Sequence, residues 1–158
     1  MESMGLMMLG CVKPDFWRGK RVFITGHTGF KGGWLTYWLQ LMGAKIAGYS
    51  LYPNTQPNIF EVLELSKLIE QSQIADIRDF ESLKKSIVNF SPDIVIHMAA
   101  QPLVRVSYLN PIETYQVNIM GTVHLLEALR SCPSVRSTVI VTTDKCYENN
   151  ERLQGYSE

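Results

Sequence analysis

The chain has no net charge to spend on a polyanion. Fifteen Lys and Arg balance fifteen Asp and Glu across 158 residues, so no overall field draws it to nucleic acid or to an anionic membrane surface. It is also poor in cysteine, with only Cys11, Cys132 and Cys146, widely spaced and odd in number. That pattern excludes a disulfide framework and lacks the ligand spacing of a zinc site, so no metal is expected and a reducing cytoplasm is the default compartment. No stretch offers the ~20 uninterrupted apolar residues that span a bilayer. The apolar start, Met4 to Cys11, is not preceded by Lys or Arg and is short for a signal peptide, although Leu9-Gly10-Cys11 faintly resembles a lipoprotein cleavage box. Residues 1–15 therefore read as a flexible extension. No internal repeat and no linker interrupt the remainder, and a chain this long buries roughly 70% of its unfolded surface in one domain.

What is present is a β–α alternation. Apolar runs at Arg21–Ile24, Lys45–Tyr49, Gln73–Ala75, Ile94–His97 and Thr138–Val141 are separated by stretches long enough for helices, which the pattern predicts over Lys31–Leu41, Asn58–Ser66, Phe80–Asn89 and Pro111–Ser131. This is an α/β chain with a doubly wound parallel sheet of the Rossmann type, and right-handed crossovers give the strand order 3-2-1-4-5. Ligands of such sheets lie beyond the carboxyl ends of the strands, so the residues after each strand are the candidates.

After strand 1 comes Thr25-Gly26-His27-Thr28-Gly29-Phe30-Lys31-Gly32. Gly26 lets the strand turn sharply, Gly29 lets backbone approach a pyrophosphate, and Gly32 lets the helix pack closely on the sheet. A helix N-terminus there adds unpaired N–H groups and positive dipole charge. After strand 3, Asp76 could accept from an adenine amino group and Ile77 could cover its ring, while Asp79 caps the next helix. After strand 4, the small side chains of Ala99 and Ala100, followed by Gln101, suit either a cofactor's ribose and phosphates or tight helix–sheet packing. After strand 5, Thr143-Asp144-Lys145-Cys146-Tyr147 gathers hydroxyl, acid and amine at the ligand-binding edge, where the alternative is an Asp–Lys surface pair of little energetic weight.

Taken together, these segments resemble the CDP-glucose 4,6-dehydratases, a branch of the extended short-chain dehydrogenase/reductase family. The resemblance runs from Phe16 to Glu158 and rests on Trp17-Arg18-Gly19-Lys20, the Gly26–Gly32 turn, Ala99-Ala100-Gln101-Pro102-Leu103-Val104-Arg105, Asn118-Ile119-Met120-Gly121-Thr122 and Thr143–Tyr147. The resemblance implies an NAD-binding domain over residues 16–158 and a reaction on CDP-glucose. Bound NAD takes hydride from sugar C4, water is eliminated across C5 and C6, and the hydride returns to C6. It assigns Thr143 to the C4 oxygen, Asp144 to protonation of the departing C6 hydroxyl, and Lys145 to the position that related dehydratases give to a Glu base. The cofactor contacts fall on Gly26, His27, Thr28, Gly29, Phe30, Lys31, Gly32, Ser50, Asp76, Ile77, Ala99, Ala100 and Gln101. It also implies a homodimer packed through the Pro111–Ser131 helix.

Two features depart from the family pattern. Strand 2 ends in Gly48-Tyr49-Ser50-Leu51 with no carboxylate for the adenosine ribose, so the residues alone leave NAD and NADP open, and the resemblance favours NAD. No Tyr has Lys four residues later, so the Tyr-x-x-x-Lys pair and the substrate domain that follows it in the family are expected to lie outside this sequence. On that reading the domain is incomplete, truncated before its last strands, and the isolated polypeptide is inactive. Two other functions compete: a sugar-nucleotide epimerase, which needs no dehydrating pair such as Asp144–Lys145, and a non-catalytic dinucleotide-binding module.

Overall fold

A computed structural model describes residues 13–143 and 148. Five parallel strands, β1 (Arg21–Thr25), β2 (Lys45–Ser50), β3 (Gln71–Ile74), β4 (Ile94–His97) and β5 (Ser137–Ile140), form one sheet in the order β3-β2-β1-β4-β5. The expected α/β class and strand order are thus what the chain adopts. β1 lies at the centre because it is apolar on both faces: Val22, Phe23, Ile24 and Thr25 are all fully buried. Since successive strand residues point to opposite faces, the two layers of core separate by parity. Val22 and Ile24 join Leu39, Ile46, Ile69, Ile94 and Ile96 on one side. Phe23 joins Tyr49, Leu83, Ile87, Phe90, Val95 and Leu125 on the other, with its ring 6.3 Å from that of Tyr49 and 6.4 Å from that of Phe90.

Helices cover both faces. α1 (Pro14–Trp17) precedes the sheet, α2 (Phe30–Leu41) links β1 to β2, and the β2–β3 connection holds two short helices, α3 (Ile59–Val62) and α4 (Leu65–Leu68). The expected single helix over Asn58–Ser66 is broken because Glu64 adopts a left-handed backbone, with φ 48°, a conformation that ends helical hydrogen bonding. Asn58 caps α3 by accepting from the N–H of Glu61, and Asp79 caps α5 (Phe80–Phe90) by accepting from that of Ser82. A short helix, α6 (Val104–Leu109), follows the loop after β4. The expected helix from Pro111 is one continuous rod with a change of winding: α7 (Pro111–Tyr115), a π-helical turn (Gln116–Met120) and α8 (Gly121–Arg130). The Gly121 N–H reaches the Gln116 carbonyl, the five-residue span of a π turn. Such turns sit preferentially at functional positions, and sequence periodicity does not announce them.

Among the described residues no helix is long and apolar enough to cross a membrane.

Candidate functional site: the carboxyl edge of the sheet

The parallel register brings Thr25 opposite both Tyr49 of β2 and His97 of β4, so the exits of the three central strands lie side by side. Into this edge the β1–α2 turn is pressed tightly. Gly26 has φ +78°, a left-handed conformation, and its N–H bonds the Tyr49 carbonyl at 2.9 Å. A Cβ on Gly26 would lie 2.8 Å from the Ala99 nitrogen, and a Cβ on Gly32 would lie 2.0 Å from the Gly26 carbonyl oxygen. Both glycines are therefore required by packing alone. Gly29 is different, because a Cβ there meets nothing closer than that same oxygen at 3.4 Å, an ordinary contact. It is exposed and forms the N-cap of α2 without any side-chain cap, and the first turn of α2 carries no acidic residue. The bare backbone at Gly29 thus leaves the first N–H groups of a twelve-residue helix without a side-chain cap and without an acidic residue in their own turn. That donor set fits a pyrophosphate.

The residues between the glycines face inward. The His27 ring is fully buried, its Nε2 2.9 Å from Ser72 Oγ and its plane edge-on to Phe60 at 5.5 Å. It fills the space above Gly48, where an added Cβ would lie 2.3 Å from the ring. Its side chain therefore braces the turn against β2 and β3 rather than lining the edge. Thr28 Oγ1 donates to the Leu51 carbonyl at 2.7 Å and lies 2.9 Å from Ser50 Oγ. Since its single proton is used on Leu51, the Ser50 hydroxyl must donate to Thr28, which leaves Ser50 Oγ as an acceptor for anything beyond it. Phe30 and Lys31 project from the exposed first turn of α2.

Around the rest of the edge, the Asp76 carboxylate accepts from the backbone N–H of Arg78 at 2.9 Å and from its guanidinium. These bonds hold its pKa below the ordinary carboxylate value. Ile77 is only 5% exposed and packs against Gly121, where a Cβ would come within 2.8 Å of it. The Ala99–Gln101 segment is held by Asn118, whose Oδ1 accepts from the Gln101 N–H at 2.8 Å while Nδ2 donates to its carbonyl at 3.1 Å. Asn118 stands in the π turn, and its grip on the loop after β4 is a contact that residue patterns leave invisible. Thr143 stands exposed beyond the end of β5. Asp144 and Lys145 lie outside the described residues. Among those described, no group of three His, Cys, Asp or Glu side chains is placed to hold a metal ion.

A family profile for GDP-mannose 4,6 dehydratase matches residues 23–155. The chain belongs to that dehydratase family. The CDP-glucose 4,6-dehydratase of Salmonella typhimurium is 56% identical over 147 residues, which cover 93% of this chain and 41% of the relative. Among solved structures, the UDP-glucose 4-epimerase of Thermus thermophilus in complex with NAD is 28% identical, with a TM-score of 0.62 over 74% of this chain and 36% of that one. An epimerase from Methanothermobacter thermautotrophicus superimposes with a TM-score of 0.74 at 23% identity, over 91% of this chain and 41% of that one, a likeness of fold. The dehydratase-family chain thus spans less than half the length of these relatives.

Two tests follow from the buried histidines and their neighbours. Burial lowers the pKa of both His27 and His97 from 6.5 to about 4. A histidine so depressed binds its proton in the unfolded chain first, so its contribution is complete above pH 6.5 and drains away between there and pH 4. Unfolding free energy from urea titrations should fall over that interval by an amount of the order of 3 kcal/mol per ring; a flat profile would show that the rings are not held neutral. Separately, Gly48→Ala should lower stability by about 1–3 kcal/mol, because the new methyl overlaps the His27 ring. The same substitution beside His27→Ala should cost far less, and equal costs in the two backgrounds would contradict the contact.

Proposed function

We propose that this chain forms the NAD-binding portion of a CDP-glucose 4,6-dehydratase, in which the Gly26–Gly32 turn and the N-terminus of α2 hold the cofactor pyrophosphate. The observation that carries the reading is Gly29: its bareness is unexplained by packing and coincides with a set of helix N–H donors whose own first turn carries no acidic residue. The identity to the Salmonella dehydratase supports the choice of substrate.

The polarity of the Thr28–Ser50 pair supports NAD over NADP. With its proton committed to Thr28, Ser50 Oγ can accept from a ribose hydroxyl but has nothing to donate to a 2′-phosphate. No Lys or Arg occurs between Lys45 and Lys67 to neutralise such a phosphate. NAD would supply a hydride acceptor at sugar C4 that returns the hydride at C6. In this scheme Thr143 holds the C4 oxygen by its hydroxyl. Asp144 protonates the departing C6 hydroxyl, which requires a carboxyl pKa raised by shielding from water. Lys145 takes the position of the base, a role open to an amine only when its pKa is depressed. The Asp144–Lys145 pair favours dehydration over epimerisation, since an epimerase has no water to eliminate.

The face formed by Ile112, Tyr115, Ile119 and Met120 is extensively exposed, with Ile112 at 75%. A second copy of the chain is its proposed partner, as the family resemblance implies. Light scattering should return a dimer that Ile119→Asp converts to monomer; a monomer in the unaltered chain would refute this.

Calorimetry on the purified chain tests the cofactor assignment. NAD should bind and NADP should bind at least about tenfold more weakly, the scale of one unpaired charged contact. Ser50→Arg should narrow or invert that preference. Absence of binding by either nucleotide in a folded chain would remove the reading.

A further inference from the structure

Beneath the glycine turn runs a line of buried polar atoms that packing does not need. Thr25 ends β1 and His97 ends β4, the two are register partners, and they are 0% and 2% exposed. Thr25 Oγ1 lies 2.6 Å from His97 Nδ1. The same oxygen accepts from the N–H of Ala99 at 3.1 Å and shares that of Met98, also at 3.1 Å, with the Thr25 carbonyl. On the far side of the ring, His97 Nε2 lies 3.0 Å from Thr122 Oγ1, which donates to the Asn118 carbonyl at 2.8 Å.

Proton counting gives this line a direction. A hydroxyl has one proton and two lone pairs. The lone pairs of Thr25 Oγ1 face two amides, so its proton points at His97 Nδ1, and Nδ1 accepts. A neutral ring then carries its proton on Nε2, and Nε2–H donates to Thr122. Thr122 can receive it because its own proton is spent on Asn118. The neutral state agrees with the depressed pKa of the buried ring.

The ends of the line matter more than its middle. Thr25 grips Ala99, and Asn118 grips Gln101 through both backbone groups. The segment from Ala99 to Gln101 is therefore clamped at each end, one clamp standing on β1 under the glycine turn and the other on the π turn. We infer that His97 is a positioning residue, held as the Nε2–H tautomer, that couples the two clamps so that the glycine turn and the loop after β4 keep a fixed separation across the dinucleotide groove. This rests on the cofactor reading above and extends it to residues that touch no cofactor.

The test uses Thr122→Val, which removes one link of the line and preserves side-chain shape, on a helix away from the glycine turn. NAD affinity measured by calorimetry should fall about three- to tenfold, the effect of one internal hydrogen bond, and Thr122→Ser should restore it. A non-specific packing loss would leave serine no better than valine. His97→Asn, which keeps an acceptor for Thr25 and loses the donor to Thr122, should weaken NAD to the same degree and serves if the valine variant does not fold. Nitrogen-15 spectra of the unaltered chain should show the proton on Nε2 and Nδ1 bare. Unchanged NAD affinity in both variants, or a proton on Nδ1, overturns the relay. Failure of the unaltered chain to bind NAD would instead overturn the cofactor reading, and the tautomer alone would then decide whether His97 is held as described.

Discussion

The Gly26 carbonyl oxygen occupies the space that a side chain at position 32 would need. A Cβ there would fall at 2.0 Å, far inside van der Waals contact, so the turn and the helix it opens can come together only as backbone on backbone. From this contact the rest of the edge follows. It sets α2 hard against the end of β1, which in turn brings the helix N-terminus over the sheet and leaves Gly29 as the outermost point. The same turn rests on Ala99, where Gly26 likewise has no room for a side chain. Strand exit, turn, helix and the loop after β4 are one packed unit.

A unit this tight has to satisfy its polar atoms internally, since water has no access to them. Thr25 and His97 meet that demand with hydroxyl and imidazole in place of apolar side chains, at the last positions of two otherwise apolar strands. The arrangement costs the histidines their charge, because burial takes away the water that would solvate an imidazolium. His27 bears the same cost with less return: Nε2 has Ser72, while Nδ1 has no hydrogen-bond partner. Its compensation is contact, the ring lying between Gly48 and Phe60. The stability of the turn is thereby linked to a neutral ring, which is tolerable near pH 7 and expensive in acid.

The sheet was readable from the residues because its signals are local and redundant. Every strand but β3 is an apolar run, each crossover is long enough for a helix, and handedness leaves one order for the five. Boundaries moved by a residue or two, most at β3, whose half-exposed Gln71-Ser72-Gln73-Ile74 lacks an apolar run to mark it. The break at Glu64 and the π turn at Gln116–Met120 were not legible, since both depend on what the helix packs against rather than on its own propensities. At the site, the glycines could be read one by one, but the orientation of His27 could not. A histidine between two glycines of a phosphate-binding turn looks like a ligand-facing residue. It faces inward because position 48, twenty-one residues later, has no side chain. The relay was hidden for a related reason: Thr25 and His97 are each the final residue of an apolar strand, a pattern that becomes meaningful only once parallel pairing sets them opposite each other.

Consecutive residues of the turn therefore answer to different neighbours. Gly26 answers to Ala99, His27 to Gly48 and Ser72, Thr28 to Ser50 and Leu51, Gly32 to Gly26, and Gly29 to the exterior. On the proposed reading position 29 is where ligand and chain meet, and positions 27 and 28 are set by the end of β2. This changes what a branch-specific turn sequence means. A large residue at 27 demands a small one at 48, and a hydroxyl at 28 orders the hydroxyl at 50, where the adenosine ribose of a dinucleotide would lie. On the proposed reading the distinctive residues of the turn would alter cofactor preference without touching the pyrophosphate, by fixing which groups at the end of β2 donate and which accept.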